Sequence, residues 1–178
     1  MNASRITGIL LLVVLIVIQF FPPDRTNPPV DADVALGTKT EVPPEIESIL
    51  KKACYDCHSN ETKWPWYSSI APASWVIAHD VQEGRKHLNF SEWENYTIKK
   101  KQVHLDMICS NTVDGTMPLP AYLFLHGSAQ LTDAEIDILC EWSEGERDRL
   151  IELEINQKRA EADSIRVNGS NGLPNQQL

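Results

Sequence analysis

Residues 53–60, ACYDCHSN, place two cysteines, Cys54 and Cys57, three positions apart, with His58 directly after the second. On their N-terminal side Ile46, Ile49, Leu50, Ala53, Cys54 and Cys57 recur at helical spacing. Both cysteines therefore fall on the buried stripe of a helix that begins at Glu45 and ends near His58. Three chemistries suit such a pattern: a metal site, a redox dithiol, or thioether attachment of haem with the imidazole on iron. A four-cysteine zinc site needs two close pairs, whereas the remaining cysteines, Cys109 and Cys140, are far apart in sequence. A reactive dithiol belongs at a helix N-terminus, where the dipole lowers the thiol pKa, and these cysteines end a helix. The balance favours C-x-x-C-H as a haem site: two thiols one helical turn apart to add across two vinyl groups, and His58 as proximal ligand.

Further along, WPWYSSIAPASWVIAHD holds Trp64, Trp66, Tyr67 and Trp75, with Pro65 and Pro72 barring a long helix. It reads as an aromatic loop followed by a short helix from Ala73. These four aromatics are candidate haem walls, since burying one aromatic side chain contributes roughly 2 to 3 kcal/mol; a small aromatic core is the plainer alternative. A third helix is expected from Ser91, with Glu94 completing a capping box and Trp93, Tyr96, Lys100, Val103, Met107 and Ile108 on one face. Pro118 and Pro120 keep TMPLP irregular. The last core helix opens with a capping box of Thr132 and Glu135 and carries Ile136, Leu139 and Cys140 on one stripe. Beyond Gly145 the chain is largely charged and extends as a helix with little burial, and 167–178 has too few large apolar residues to fold. No strand pattern and no internal repeat occurs, so the fold class is all-α.

At the other end, Arg5 precedes an almost unbroken apolar run from Ile6 to Phe21. Sixteen residues reach roughly 24 Å, just short of a hydrocarbon core of about 30 Å unless the flanks contribute. No small-residue cleavage pattern follows the run, which favours an uncleaved anchor over a cleaved signal peptide that would release a secreted protein. Arg5 keeps the N-terminus inside and sends the body of the chain across, into a compartment where disulfides persist. Six prolines between residues 22 and 44 suit a stiff, extended tether that holds the domain off the membrane. The expected organisation is a transmembrane anchor over 1–24, a Pro-rich linker over 25–43, a haem-binding domain over 44–145, and a charged helical extension with a disordered tail over 146–178. A net charge of −9 and a pI near 5.0 argue against nucleic-acid binding. The one basic run, Lys99–Lys101, reads as a solvated helix face.

An electron-transfer haem takes a second axial ligand, and a thioether sulfur favours Fe(II). Met117, on its proline-locked loop between two helices, is the candidate, with a core-filling role as the alternative. His79, His87, His104 and His126 compete, His126 most strongly. Arg85 is a candidate partner for a haem propionate, although a solvated arginine is the commoner role. Cys109 and Cys140 sit on two helices that can pack together, which makes a structural disulfide and two buried thiols equal alternatives.

The stretches CYDCHSNETKWPWYSSIAPASWVIAHDVQEGRKHLNFSEW and TMPLPAYLFLHGSAQLTDAEIDILCEW resemble the haem-binding domain family of bacterial envelope proteins, relatives of c-type cytochromes. The resemblance covers Pro43 to Gly145 and rests on C-x-x-C-H together with WPWYS, GRKHLNFSEW and MPLP. It implies a small cytochrome c-like helical domain with one covalent haem c on Cys54 and Cys57, His58 on the iron, and Met117 as the distal ligand. Cys109 and Cys140 lie outside the family pattern. The expected function is single-electron transport to a redox partner protein at the periplasmic side of the inner membrane, with no enzymatic turnover. A haem-based enzyme or sensor with a labile sixth ligand, and a non-haem module whose cysteines pair, are the alternatives.

Overall fold

Helix α1, Ala3–Val17, runs into a 3-10 turn at Ile18–Phe20. Its side chains are almost all apolar and none is buried against the rest of the chain. By length and composition Ala3–Phe20 is able to cross a membrane, a property that signal sequences share. The computed structural model describes residues 2–170, and among these residues helices and turns account for all the regular structure. The described chain divides into two compact units, one of residues up to Asn95 together with Ala121–Leu131, the other of Tyr96–Pro120 and the chain from Thr132 onward.

In the first unit, α2 (Pro44–Ala53) starts with Pro44 inside its first turn, Glu45 and Glu47 at the positive end of its dipole, and Lys51 and Lys52 at the negative end. Ile46, Ile49 and Leu50 are its buried face. The helix expected to run on to His58 instead breaks at Cys54, whose φ and ψ of −121° and −40° are outside the helical range. A separate turn, α3 (Tyr55–His58), follows. Tertiary contacts override the helical repeat here: the Tyr55 ring stacks on Phe90 at 5.1 Å, and the Asp56 carboxylate accepts from the Lys63 backbone N–H at 3.0 Å. Helix α4 (Ala73–His87) follows the aromatic loop and buries Ser74, Ala78 and Val81.

Residues 22–43 form no helix or strand, yet they are a strap fixed to this unit and not a free tether. Leu36 N–H donates to Phe90 O and Glu94 N–H to Val34 O, each at 2.8 Å. Thr40 is buried, and its hydroxyl accepts from the indole of Trp93, which has no exposed surface. Prolines do stiffen the segment, but its polar residues find partners on the domain, which the proline count alone does not show.

The capping box expected at Ser91 and Glu94 does not open a helix. Ser91 Oγ accepts from Asn60 N–H at 2.9 Å, and residues Phe90–Asn95 form a 3-10 turn. In the second unit α5 (Ile98–Val113) starts seven residues later, capped by Thr97 Oγ1 accepting from Lys100 N–H. Its buried face is Lys101, His104, Leu105, Ile108 and Thr112, while Val103 and Met107, expected inside, are exposed. Short α6 (Pro120–Leu125) contributes most of its residues to the first unit. Helix α7 (Asp133–Ser170) opens with the reciprocal box, Thr132 N–H to Glu135 Oε2 at 2.8 Å and Glu135 N–H to Thr132 Oγ1 at 3.3 Å. It packs against α5, with Leu139, Ser143, Glu146 and Leu150 buried, and a disulfide joins Cys109 to Cys140. The helix continues four residues into the stretch expected to be unstructured; the rest of that stretch, 171–178, lies outside the described residues.

Candidate functional site

The break at Cys54 and the single turn of α3 leave the two thiols half-buried and free, with the imidazole of His58 at the C-terminal end. His58 Nδ1 lies 2.9 Å from Gly84 O and 3.1 Å from Leu88 O. Carbonyl oxygens only accept, so Nδ1 carries the proton and donates to both, and Nε2 keeps its lone pair. Burial lowers the His58 pKa, against the two carbonyl bonds, which raise it. The outcome is a neutral, oriented imidazole, the state a metal ligand needs.

Gly84 is what lets α4 approach this closely. A Cβ built there would stand 2.7 Å from Cys57 O and 3.2 Å from Cys57 Cβ. Sequence reasoning passed over this residue, although a glycine inside a helical pattern is the signal of a close backbone approach. Burial also pushes the thiols up, Cys54 to about 12 and Cys57 to about 11, where Asp56 and Asp80 add to the effect. Both are neutral thiols near pH 7, which counts against a reactive dithiol.

Asp56, between the cysteines, accepts from the Tyr122 hydroxyl at 2.8 Å. Burial and that bond together hold the Tyr122 phenol protonated well above its ordinary range. The Tyr122 ring stacks on His126 at 4.0 Å. His126 Nδ1 donates to Tyr122 O at 3.0 Å, which leaves Nε2 to accept from the Tyr67 hydroxyl at 2.9 Å. Tyr67, Tyr122, His126 and Asp56 thus form one polar cluster beside the cysteines. Asp56 and Tyr122 were not singled out by sequence reasoning, because their pairing spans 66 positions.

Of the other expected residues, Arg85 is engaged within the chain. Its Nε donates to Ser59 O at 2.8 Å and its Nη2 to Asn27 Oδ1 and Thr62 Oγ1 at 2.7 and 2.8 Å. It ties the strap to the loop after His58. Trp64 is half-buried and donates to Asn27 Oδ1. Trp66 is 77 % exposed and edge-on to Tyr67, and the Trp75 indole donates to Phe21 O at 2.7 Å. Met117 belongs to the second unit, half-buried in the turn after α5, its N–H donating to Asn111 O at 3.0 Å. With Cys109 and Cys140 joined, four-cysteine zinc binding has lost half its ligands. Among the described residues no group of three or more His, Cys, Asp or Glu side chains is placed to hold a metal ion by itself.

No curated protein and no solved structure matches the chain. The model of the haem-binding domain family matches residues 13–145, a span that takes in the end of α1, the strap, the cysteine–histidine motif and the start of α7. The chain belongs to the haem-binding domain family.

Proposed function

We propose that the protein is a monohaem c-type cytochrome, anchored in the inner membrane by α1 with its haem-binding unit on the periplasmic side, and that it carries single electrons to and from a redox partner protein. One observation carries the reading: His58, directly after the two thiols, has Nδ1 saturated by two carbonyls and Nε2 left as a donor. A group held by two thioethers and one imidazole nitrogen fits that donor set, whereas among the described residues no three His, Cys, Asp or Glu side chains are placed to hold a bare cation. Cys54 and Cys57 would hold the haem vinyl carbons, and His58 Nε2 would hold the iron. When bound, haem supplies the one-electron Fe(III)/Fe(II) couple.

The chain's own contribution is orientation and electrostatics. Gly84 O and Leu88 O fix the imidazole plane and raise the basicity of Nε2. Met117 is proposed as the sixth ligand, through sulfur. His126, its rival, has Nε2 already engaged by Tyr67, and using it would cost that bond. Arg85, with four of its five N–H groups directed at strap and loop oxygens, is better placed as a brace than as a propionate partner. The Cys109–Cys140 disulfide supports an oxidising compartment, in line with Arg5 inside and the body outside. A net charge of −9 disfavours nucleic acid as a partner.

The test is an absorption spectrum of ferric and ferrous protein made with haem-attachment machinery, after acid-solvent extraction of non-covalent haem. Retained c-type bands with the weak near-infrared band of sulfur on ferric iron are the expected result. A colourless protein sinks the proposal. A second reading, a haem enzyme or sensor with a labile sixth position, is favoured by one observation: the polar Tyr67–His126 pair lies in the same unit as His58. A high-spin ferric spectrum would select it.

A further inference from the structure

The end of α1 does not lead into a free linker. Gln19 lies in the 3-10 turn that follows it and makes a reciprocal amide pair with one backbone residue of the aromatic loop: Gln19 Nε2 donates to Ala71 O and Ala71 N–H donates to Gln19 Oε1, both at 3.0 Å. Two residues on, Phe21 O accepts from the Trp75 indole at 2.7 Å. Arg25 then donates to Ser68 Oγ and Ser69 Oγ at 3.2 and 2.7 Å. Three successive ties therefore hold the loop and the start of α4 against the residues where an anchor helix leaves the hydrocarbon.

The surface at this junction is apolar. Phe20 and Phe21 are 77 % and 66 % exposed, Ile70 and Val76 are 48 % and 57 % exposed, and Trp75 is 38 % exposed with its N–H already satisfied. Exposed large apolar groups continuous with a spanning segment are a poor surface for water and a good one for the headgroup–acyl boundary, where aromatic rings concentrate.

We propose that the haem-binding unit lies directly on the bilayer, with Ile70, Trp75 and Val76 seated beside Phe20 and Phe21 in the interfacial layer of the leaflet that α1 exits. The occupant of this face is lipid, because the face is continuous with the span and is hydrogen-bonded to it. The proposal rests on the reading of α1 as an uncleaved anchor. It replaces a unit held off by a tether with one whose reach is limited to the membrane plane, so its redox partner must offer its own site at that level.

The test uses the full, haem-loaded chain in nanodiscs of phosphatidylcholine and phosphatidylglycerol, with and without a gadolinium chelate on a fraction of the headgroups, read by backbone amide NMR linewidths. Amides of Ile70 to Val76, Pro72 aside, should broaden to within about twofold of Phe20 and Phe21. Phe20 and Phe21 broadened with residues 70–76 left sharp would overturn the docking while leaving the anchor intact. Loss of the chain from the discs in an alkaline wash, or a mature protein beginning beyond residue 25, would overturn the anchor and the docking with it.

Discussion

Replacing Gly84 with alanine tests whether the contact between α4 and the cysteine–histidine motif is as tight as the geometry says. In an open helical position this change stabilises, by roughly 1 kcal/mol, because alanine loses less backbone freedom on folding. Gly145, inside α7 with nothing within 4 Å of an added Cβ, is such a position. At Gly84 the new Cβ meets Cys57 O at 2.7 Å, where ordinary contact begins at 3.4 Å. A backbone carbonyl cannot swing aside, so α4 and α3 must part by roughly 0.7 Å, and overpacking of this kind costs about 1 to 3 kcal/mol. The net result for Gly84→Ala is a loss of up to about 2 kcal/mol, against a gain of about 1 kcal/mol for Gly145→Ala.

Urea unfolding of the detergent-solubilised, haem-loaded chain, followed by far-ultraviolet circular dichroism, reads both numbers. A second readout separates the site from general stability. Gly84 O is also an acceptor for His58 Nδ1–H, so parting the two helices stretches a 2.9 Å bond. Weakening it lowers the basicity of Nε2, and the reduction potential should rise. The reasoning is refuted if Gly84→Ala is stabilised as much as Gly145→Ala and leaves the potential unmoved.

Met117→Ala should leave haem attached but lower the potential or admit external ligands; if spectrum and potential stay unchanged, the sixth ligand lies elsewhere and His126→Ala is the next variant to measure. Changing Cys109 and Cys140 together to serine removes a crosslink across 31 positions, with an expected loss of roughly 3 to 4 kcal/mol in urea unfolding. The visible spectrum should stay the same, and a changed spectrum would tie the disulfide to the haem site. Arg85→Gln gives up the charge-assisted bonds to Asn27 and Thr62; limited proteolysis should then cut faster within residues 22–43, and an unchanged cutting rate would show that the strap is held without it.

What the sequence shows directly is what is local: the spacing of C-x-x-C-H, the apolar run of α1 and the capping box of Thr132 and Glu135. What escaped was set by partners distant in sequence. Ser91 and Glu94 have the right types for a helix start, but the Ser91 hydroxyl is taken by Asn60, 31 positions away, and the helix begins at Ile98 instead. The prolines of 22–43 suggest a stiff segment, while Asn27, Val34, Leu36 and Thr40 hold that segment along the domain. Arg85 reads in the sequence as a propionate partner or, more commonly, a solvated side chain, whereas its bonds to Ser59, Asn27 and Thr62 make it a brace.

The last turn of α4 shows why the histidine environment could not be read from the motif. A helix C-terminus carries carbonyls without helical N–H partners and the negative end of the dipole. Gly84 O accepts from Leu88 N–H at 2.9 Å and still offers its second lone pair to His58, while Leu88 O just beyond the helix supplies the other acceptor. Arg85, Lys86 and His87 in that same turn offset part of the negative field. In the proposed haem site, donation of Nδ1–H into this end would make Nε2 the stronger electron donor, favouring Fe(III) and opposing the effect of a Met117 sulfur ligand. A potential guessed from a His58 and Met117 ligand pair alone would leave out this contribution, part of which depends on Gly84, whose missing Cβ lets α4 bring its carbonyl within reach of His58.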